Sequence, residues 1–348
     1  KGLEISTEIG DKSGIANNNC NLGNAYLRLA EYQKAIDYYK KGLEISTEIS
    51  DKSGIAINNG SLGNAFQSLG DYRKAIDFYE KRLQSCTEIG DRSGIASNNC
   101  NLGNAYRSLG EYQKAIDFYK IGLHISTEIG DKSGIAINNG NLGEVYQGLG
   151  EYRKAIEFSE KCLRISTEIY HQSAIASSYG NLGNAYLSLG EYQKAIGYHE
   201  KGLLISTKIS DKSEIASGNR NLGDTFFSLA DYEKAIDCYE KSLKISTEIG
   251  ERLEIARSNG SLGKAYRRLG KYLKAMDYSK KGLQISIEIG NRSGIAINNR
   301  ILGNIYLSLE NYQEAKYHYE KALQISTDVG DRSEIATKMA IWAMLIMD

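Results

Sequence analysis

A unit of 40 residues recurs along the whole chain without insertion or deletion. The opening segment KGLEISTEIG returns with small changes at every fortieth residue, as far as residues 321–330. A fixed period of this length indicates a stacked repeat array, in which each repeat covers the apolar faces of its neighbours. We therefore expect function to lie on an extended surface. The period predicts a second-helix remnant of a preceding repeat at 1–10, eight repeats over 11–330, and the first helix of a truncated, degenerate ninth repeat at 331–348. Since the chain opens inside a repeat, we expect it to be part of a longer protein.

Each repeat contains two stretches in which apolar residues recur at helical spacing. In the first complete repeat these are Ile15, Leu22 and Tyr26, followed by Tyr32, Ala35, Ile36, Tyr39 and Leu43. Glycines such as Gly10 and Gly130 suit the left-handed conformation that ends a helix, and the acids after them, Asp11 and Asp131, suit the start of the next. The pattern predicts an all-α fold of antiparallel helix hairpins.

Composition narrows the classes of function. Lys plus Arg and Asp plus Glu both number 43, so no global field draws the chain to nucleic acid. No stretch approaches the roughly 20 apolar residues of a membrane span. The five cysteines are scattered without CxxC spacing, which favours a reduced, cytoplasmic protein.

The sequence gives little support for catalysis. The four histidines, His124, His171, His199 and His318, lie at different positions of the repeat, so they predict no metal cluster. Each is interpreted as a drifted tyrosine or a surface residue. Glycine-rich phosphate-binding signatures are also absent from the sequence. We expect neither enzyme activity nor a cofactor.

The spacing Leu22-Gly23-x-x-Tyr26, followed by Ala35-x-x-x-Tyr39, resembles the tetratricopeptide repeat (TPR) signature. Asn19 stands where that signature has Trp, its terminal Pro is absent, and the repeat is longer than the usual unit of about 34 residues. The long repeat is similar to those of the LGN/Pins spindle-orientation adaptors and of large metazoan multi-TPR proteins. The resemblance implies an α-solenoid with a right-handed superhelix, whose first helices line a concave groove for a partner segment.

This resemblance places positions equivalent to 17, 20, 21, 24 and 28 in the groove. Asparagine recurs there as Asn24, Asn64, Asn104, Asn184 and Asn304, and as Asn21, Asn101, Asn141, Asn181 and Asn221. An amide side chain both donates and accepts, so such a ladder can hold a peptide main chain. Duplication of the repeat alone also explains the recurrence, in which case these asparagines carry only solvated polarity.

Differences between repeats are the best indication of specificity. The repeat at 251–290 has nine Lys or Arg against four acids. Five cations occupy presumed groove positions, namely Arg220, Arg257, Lys264, Arg268 and Arg300. Such a stretch favours an acidic or phosphorylated peptide, held by charge-assisted hydrogen bonds. A solvated basic face without a partner, or a nucleic-acid site, would use the same residues.

We interpret the chain as a protein-interaction scaffold or adaptor that binds an extended, acidic peptide. The LGN/Pins resemblance implies a role in spindle or cell-cortex organisation or in signalling. The alternative is a structural spacer or multimerising array with no groove ligand. Since the terminal stretch 337–348 is apolar where a capping repeat is normally polar, we also expect self-association through the C-terminal end.

Overall fold

The computed structural model describes residues 2–329, which form seventeen α-helices in the described chain. They are α1 Gly2–Glu8, α2 Lys12–Arg28, α3 Tyr32–Glu48, α4 Lys52–Leu69, α5 Tyr72–Ile89, α6 Arg92–Ser108, α7 Tyr112–Glu128, α8 Lys132–Gly148, α9 Tyr152–Glu168, α10 Gln172–Ser188, α11 Tyr192–Lys208, α12 Lys212–Ser228, α13 Tyr232–Ile249, α14 Arg252–Arg268, α15 Tyr272–Glu288, α16 Arg292–Ser308 and α17 Tyr312–Val329. Even-numbered helices are the first helices of the repeats and odd-numbered helices from α3 onward are the second. The predicted all-α class is confirmed.

The chain divides into two compact halves, residues 1–174 and residues 175–348. Within each half the two helices of a repeat pack against each other, as α6 does with α7 and α14 with α15. A second helix also packs against the first helix of the next repeat, as α3 does with α4 in one half and α13 with α14 in the other. Each half is therefore an α-solenoid of helix hairpins, as the repeat period predicts.

The hairpins close over a small set of side chains. Leu102 and Ala105 on α6 are fully buried, as is Tyr119 on α7. Gly103 makes this close approach possible, since a Cβ atom there would lie 2.5 Å from the ring of Tyr119. The rings of Tyr106 and Phe118 stack beside them, with centroids 5.3 Å apart. The same arrangement recurs in other repeats, so the aromatic positions are packing positions, as predicted.

The helix ends follow the predicted signals in part. Gly10 and Gly130 have φ values of +69° and +70°, in the left-handed region, and the Asp11 carboxylate accepts a hydrogen bond from the Gly14 amide at 2.9 Å. Asp131 has the same backbone conformation as Asp11 but makes no side-chain capping bond, and nothing in the structure explains this difference. Asp131 therefore stands at the expected N-cap position of α8 without the side-chain bond.

Within the hairpins, aspartate and glutamate behave differently at the start of the second helix. The Asp71 carboxylate accepts from the Lys74 amide, whereas Glu31 caps no amide and pairs with the ammonium group of Lys34. Asp71 also pairs with the ammonium group of Lys74, at 2.8 Å, so the ion pair is common to both acids and only the shorter aspartate caps an amide as well.

Two further expectations concern membranes and the end of the chain. No helix within residues 2–329 combines the length and apolarity needed to cross a membrane. The predicted ninth repeat and its self-association fall at 331–348, outside the described residues.

Candidate functional site

The first helices form one side of each half. A first helix contacts the next first helix, as α2 does with α4, α6 with α8, α12 with α14, and α14 with α16. Contacts of that extent do not join consecutive second helices in the described chain. The first helices therefore lie on the inner side of the local curve, where the sequence places the groove positions. We call this surface the first-helix face.

In the N-terminal half the first-helix face holds a recess between α6 and α8. We call it the neutral recess; its lining includes Ser97, Cys100, Asn101 and Asn104 on α6 and Ile137 on α8. The recess has a cavity volume of about 300 Å³. Ile137 is 52% exposed, so an aliphatic side chain faces solvent beside the amides. The recess therefore offers hydrogen-bonding groups and an apolar contact together.

The C-terminal half holds an equivalent recess four repeats later, between α12, α14 and α16. We call it the charged recess; its lining includes Arg220, Asp224, Arg257, Lys264 and Ile297. Its cavity volume is about 220 Å³, against about 300 Å³ in the neutral recess. Three of the five predicted cations thus meet in one place. The two recesses differ chiefly in chemistry.

The asparagines at the position of Asn24 have a structural task that the sequence analysis missed. The hydroxyl of Tyr119 donates to Asn104 Oδ1 at 2.7 Å, and the same bond of 2.7–2.8 Å joins Tyr39 to Asn24, Tyr79 to Asn64, and Tyr319 to Asn304. These tyrosines are 0–3% exposed, so each asparagine satisfies a buried hydroxyl. The interpretation of this row as a ladder reserved for a ligand is therefore incomplete.

Where the tyrosine is lost, the asparagine often changes as well. Ser159 and Ser279 stand at the tyrosine position of their repeats, and Glu144 and Lys264 stand at the asparagine position. Asn184 is retained opposite His199. In the two repeats where serine replaces the tyrosine, the groove position therefore carries a charged residue in place of the asparagine.

The second row of predicted asparagines is also open to solvent in part. Asn21 is exposed, and its counterparts are partly buried: Asn101, Asn141, Asn181 and Asn221. The Asn141 amide donates to the Cys100 sulfur at 3.3 Å. We call the buried Tyr39, Tyr79, Tyr119 and Tyr319 the tyrosine row. No hydroxyl of the tyrosine row bonds to these amides in the described chain. This row is the better candidate for contacts with a ligand.

Arg220 is not the open cation that the sequence indicates. Its Nε atom donates to Glu254 at 2.6 Å and its Nη1 atom donates to Asp224 at 3.0 Å. Asp224 also accepts from the hydroxyl of Tyr239 at 2.7 Å. These carboxylates raise the pKa of Arg220 against the opposing effect of burial. Arg220 therefore belongs to an internal network, and its charge is already balanced.

Glu254 is the residue of this network that the sequence analysis missed. It is 5% exposed and also lies 3.6 Å from Arg257 Nη1. The sequence does distinguish Glu254, because the equivalent position in five other repeats is glycine. These glycines are Gly14, Gly54, Gly94, Gly134 and Gly294. Arg257 itself is half exposed, so it can reach a ligand from the rim. The remaining predicted cations, Arg268 and Arg300, do not line the charged recess.

Other reactive groups of the described chain are buried singly. All five cysteines are buried and unbridged, and burial raises the pKa of Cys100 to about 11. His199 takes the place of the buried tyrosine and is 2% exposed, so burial lowers its pKa to about 4. His318 stacks on Tyr306 at an aromatic position. No three His, Cys, Asp or Glu side chains within residues 2–329 are grouped to hold a metal ion.

Comparison with known proteins agrees with this architecture. Tetratricopeptide repeat profiles match residues 19–46, 54–125, 134–208, 214–288 and 299–328. Comparison with curated proteins gives no significant match.

Among solved structures, the apo form of RapI is 18% identical, with a TM-score of 0.67 over 79% of this chain and 98% of that one. The apo form of the quorum sensor NprR from B. thuringiensis is 16% identical, with a TM-score of 0.66 over 92% and 91%. Rap protein complexed with competence and sporulation factor is also 16% identical, with a TM-score of 0.62 over 96% and 98%. These likenesses concern the fold. The profile matches, which span most of the repeats, show that this chain belongs to the tetratricopeptide repeat family.

Proposed function

We propose that this chain is a protein-interaction scaffold that binds an extended partner peptide along the first-helix face. The observation that carries the proposal is the recurrence of one open recess, at equivalent positions of the repeat, in both halves. A surface feature that returns at the repeat spacing suits a ligand that runs along the array. The groove residues predicted from the sequence remain the candidate contacts.

The neutral recess has the chemistry to hold a peptide main chain. Asn101 offers both a donor and an acceptor, Ser97 adds a hydroxyl, and Ile137 offers an apolar contact for a side chain. Each hydrogen bond contributes about 0.5–1.5 kcal/mol net. Several such bonds along consecutive repeats correspond to micromolar affinity. The similar Rap structure is itself a complex, with competence and sporulation factor, which supports a binding role for a solenoid of this kind.

The charged recess and its surroundings support an acidic ligand. Arg257 and Lys264 line the recess, and the repeat that carries them has nine basic residues against four acidic ones. Charge-assisted hydrogen bonds are stronger than neutral ones. From the resemblance to the LGN/Pins adaptors we further propose a cytoplasmic role in spindle or cell-cortex organisation or in signalling.

The test is selection of peptides from a random library on the intact chain, followed by calorimetry. Ile137→Arg, on the first-helix face, should weaken binding of the selected peptides at least tenfold. The matched control is Ile121→Arg on α7, because Ile121 is 46% exposed on a second helix, close to the 52% of Ile137. Equal loss in both variants, or loss in neither, would contradict the proposal.

A structural spacer is the second candidate, and a specific observation favours it. The Asn104 side chain is already bonded to Tyr119, as are its counterparts in three other repeats, so part of the asparagine ladder is explained without a ligand. A spacer predicts that selection yields no peptide whose binding depends on Ile137. The same experiment therefore separates the two candidates.

A further inference from the structure

One arginine of the C-terminal half has no carboxylate opposite it, although its counterpart in the N-terminal half does. Arg107 on α6 forms an ion pair with Glu144 on the next first helix, α8. Four repeats later the same two positions hold Arg267 on α14 and Asn304 on α16. The guanidinium group is kept and its acid is replaced by a neutral amide.

Arg267 has a further arginine, Arg268, as its neighbour in the chain. Arg267 is partly buried, and no carboxylate of residues 2–329 pairs with it. Arg300 on α16 occupies a position that is Gly140 in the earlier pair of repeats. Both guanidinium groups lie near the hydroxyl of Tyr319. Burial raises the pKa of this hydroxyl, and the two cations act in the opposite direction. The hydroxyl of Tyr319 donates to Asn304 Oδ1 at 2.7 Å, so Asn304 lies beside the same hydroxyl as the two arginines. We call Arg267, Arg300, Asn304 and Tyr319 the Arg267 site.

Electrostatics shows the same imbalance. Burial and the neighbouring Arg268 lower the pKa of Arg267, whereas Glu144 raises the pKa of Arg107 against burial. A guanidinium group that is partly desolvated among cations gains from a counter-charge. Arg also presents paired N–H donors that fit carboxylate and phosphate oxygens. The group that would complete this site is an oxyanion, in the place that the Glu144 carboxylate takes beside Arg107.

We propose that the Arg267 site binds an oxyanion of the partner peptide, either a carboxylate or a phosphate group, in the position that Glu144 fills internally in the N-terminal half. The inference rests on the proposed peptide-binding function and specifies its chemistry at one point of the first-helix face. At the Arg267 site the peptide lies across α14 and α16, and its oxyanion pairs with the Arg267 guanidinium group. In the N-terminal half the internal ion pair leaves no such anchor.

Two reciprocal substitutions test this inference. Asn304→Glu supplies the acid internally and should occupy the Arg267 site; an acid is compatible with the tyrosine there, because Asp224 accepts the hydroxyl of Tyr239 in the same way at 2.7 Å. Glu144→Asn removes the acid beside Arg107 and should open an equivalent site. The probes are inorganic phosphate and a tetraglutamate peptide, titrated into the intact chain at low salt. Binding is followed by the arginine Nε–H resonances in NMR, with Arg267→Lys to assign the signal.

The expected result is a saturable shift of the Arg267 resonance with at least one probe. Asn304→Glu should weaken that binding tenfold or more, and Glu144→Asn should produce a new saturable shift of the Arg107 resonance. Binding of phosphate alone assigns a phosphorylated ligand, and binding of tetraglutamate alone assigns an acidic one. Uniform shifts of all exposed arginines, or equal binding by wild type and Asn304→Glu, would overturn the inference.

Failure here is distinguishable from failure of the proposed function. If library-selected peptides lose affinity in Ile137→Arg while neither probe shifts Arg267, the scaffold binds peptides without this anchor. If the probes bind as described but no selected peptide depends on Ile137, the anion site stands and the peptide groove does not.

Discussion

The neutral recess and the charged recess are the same structural element with different residues. Ile137 and Asn138 recur as Ile297 and Asn298, whereas Ser97 and Asn104 become Arg257 and Lys264. The helix hairpins around them keep the same form, because the leucine and alanine positions between helices stay buried in both halves. Residues facing the recess can therefore change without disturbing the stack, which is how a repeat array varies its surface.

The difference also shows what the change costs inside the protein. In the repeat of the neutral recess a buried tyrosine fills the space above the glycine of the first helix, and its hydroxyl is bonded. In the repeat of the charged recess that tyrosine is Ser279, which is fully buried with no hydrogen-bond partner for its hydroxyl among the described residues. The repeat at 251–290 thus has a cation, Lys264, in place of asparagine, and it lacks the buried tyrosine ring.

The largest effect is expected when this exchange is made in the neutral recess. Tyr119→Ser removes a fully buried ring and leaves a cavity beside Gly103, so the free energy of unfolding should fall by about 3–5 kcal/mol. Denaturant unfolding followed by circular dichroism measures it. The control is Tyr170→Ser, since Tyr170 is 82% exposed and its loss should cost under about 1 kcal/mol. Equal costs for the two variants would show that the tyrosine row does not hold the hairpins together.

A somewhat smaller effect is expected in the network of the charged recess. Arg220→Met leaves Glu254 and Asp224 without their cation, and Glu254 is 5% exposed, so stability should fall by about 3 kcal/mol. The triple variant Arg220→Gly, Asp224→Asn, Glu254→Gly carries the residues that stand at these positions in the N-terminal half. It should recover most of the loss. A triple variant as unstable as Arg220→Met would mean that the two recesses are not interchangeable.

The tyrosine row also predicts a pH dependence where histidine interrupts it. The pKa of buried His199 is about 4, below the 6.5 of an exposed histidine, so protonation favours the unfolded chain. Its destabilising effect is absent above about pH 6.5 and grows as the pH falls toward 4, reaching about 2 kcal/mol at pH 5. His199→Tyr should flatten this part of the profile of unfolding free energy against pH. An unchanged profile in that variant would contradict the assignment.

The smallest effect concerns the starts of two helices in the N-terminal half. Asp91 caps α6 with a bond of 2.8 Å to the Gly94 amide, whereas Glu151 caps nothing at the start of α9. Asp91→Ala should cost about 1 kcal/mol and Glu151→Ala under about 0.5 kcal/mol, both read from urea midpoints. Similar costs would show that the side-chain cap contributes little at these helix starts.

The fold could be predicted from the sequence because the same apolar and helix-ending positions recur in each repeat. Leu102 and Tyr119 stand at apolar positions of the helical spacing, and both are buried. Gly10 was identified as a helix end and has the positive φ expected. Such features depend on local geometry, which recurs at each repeat.

The candidate site was less predictable because its residues act in pairs from different helices. The pairing of Asn104 with Tyr119 joins positions 15 apart, and that of Arg220 with Glu254 joins positions 34 apart. Helical periodicity does not reveal either contact. The covariation of Lys264 with Ser279 was visible in the sequence, but only the tyrosine–asparagine bond explains it. Charge counts alone therefore overstated how open Arg220 is.

The central claim is that a partner peptide lies along the first-helix face, and site-specific photocrosslinking tests it most directly. A photoreactive benzoylphenylalanine replaces Ile137 on the first-helix face in one variant and Ile121 on α7 in another, each mixed with a library-selected peptide. Crosslinks to the peptide at position 137 and not at position 121 are the predicted result. Crosslinks at position 121 alone, or equally at both, would contradict the claim.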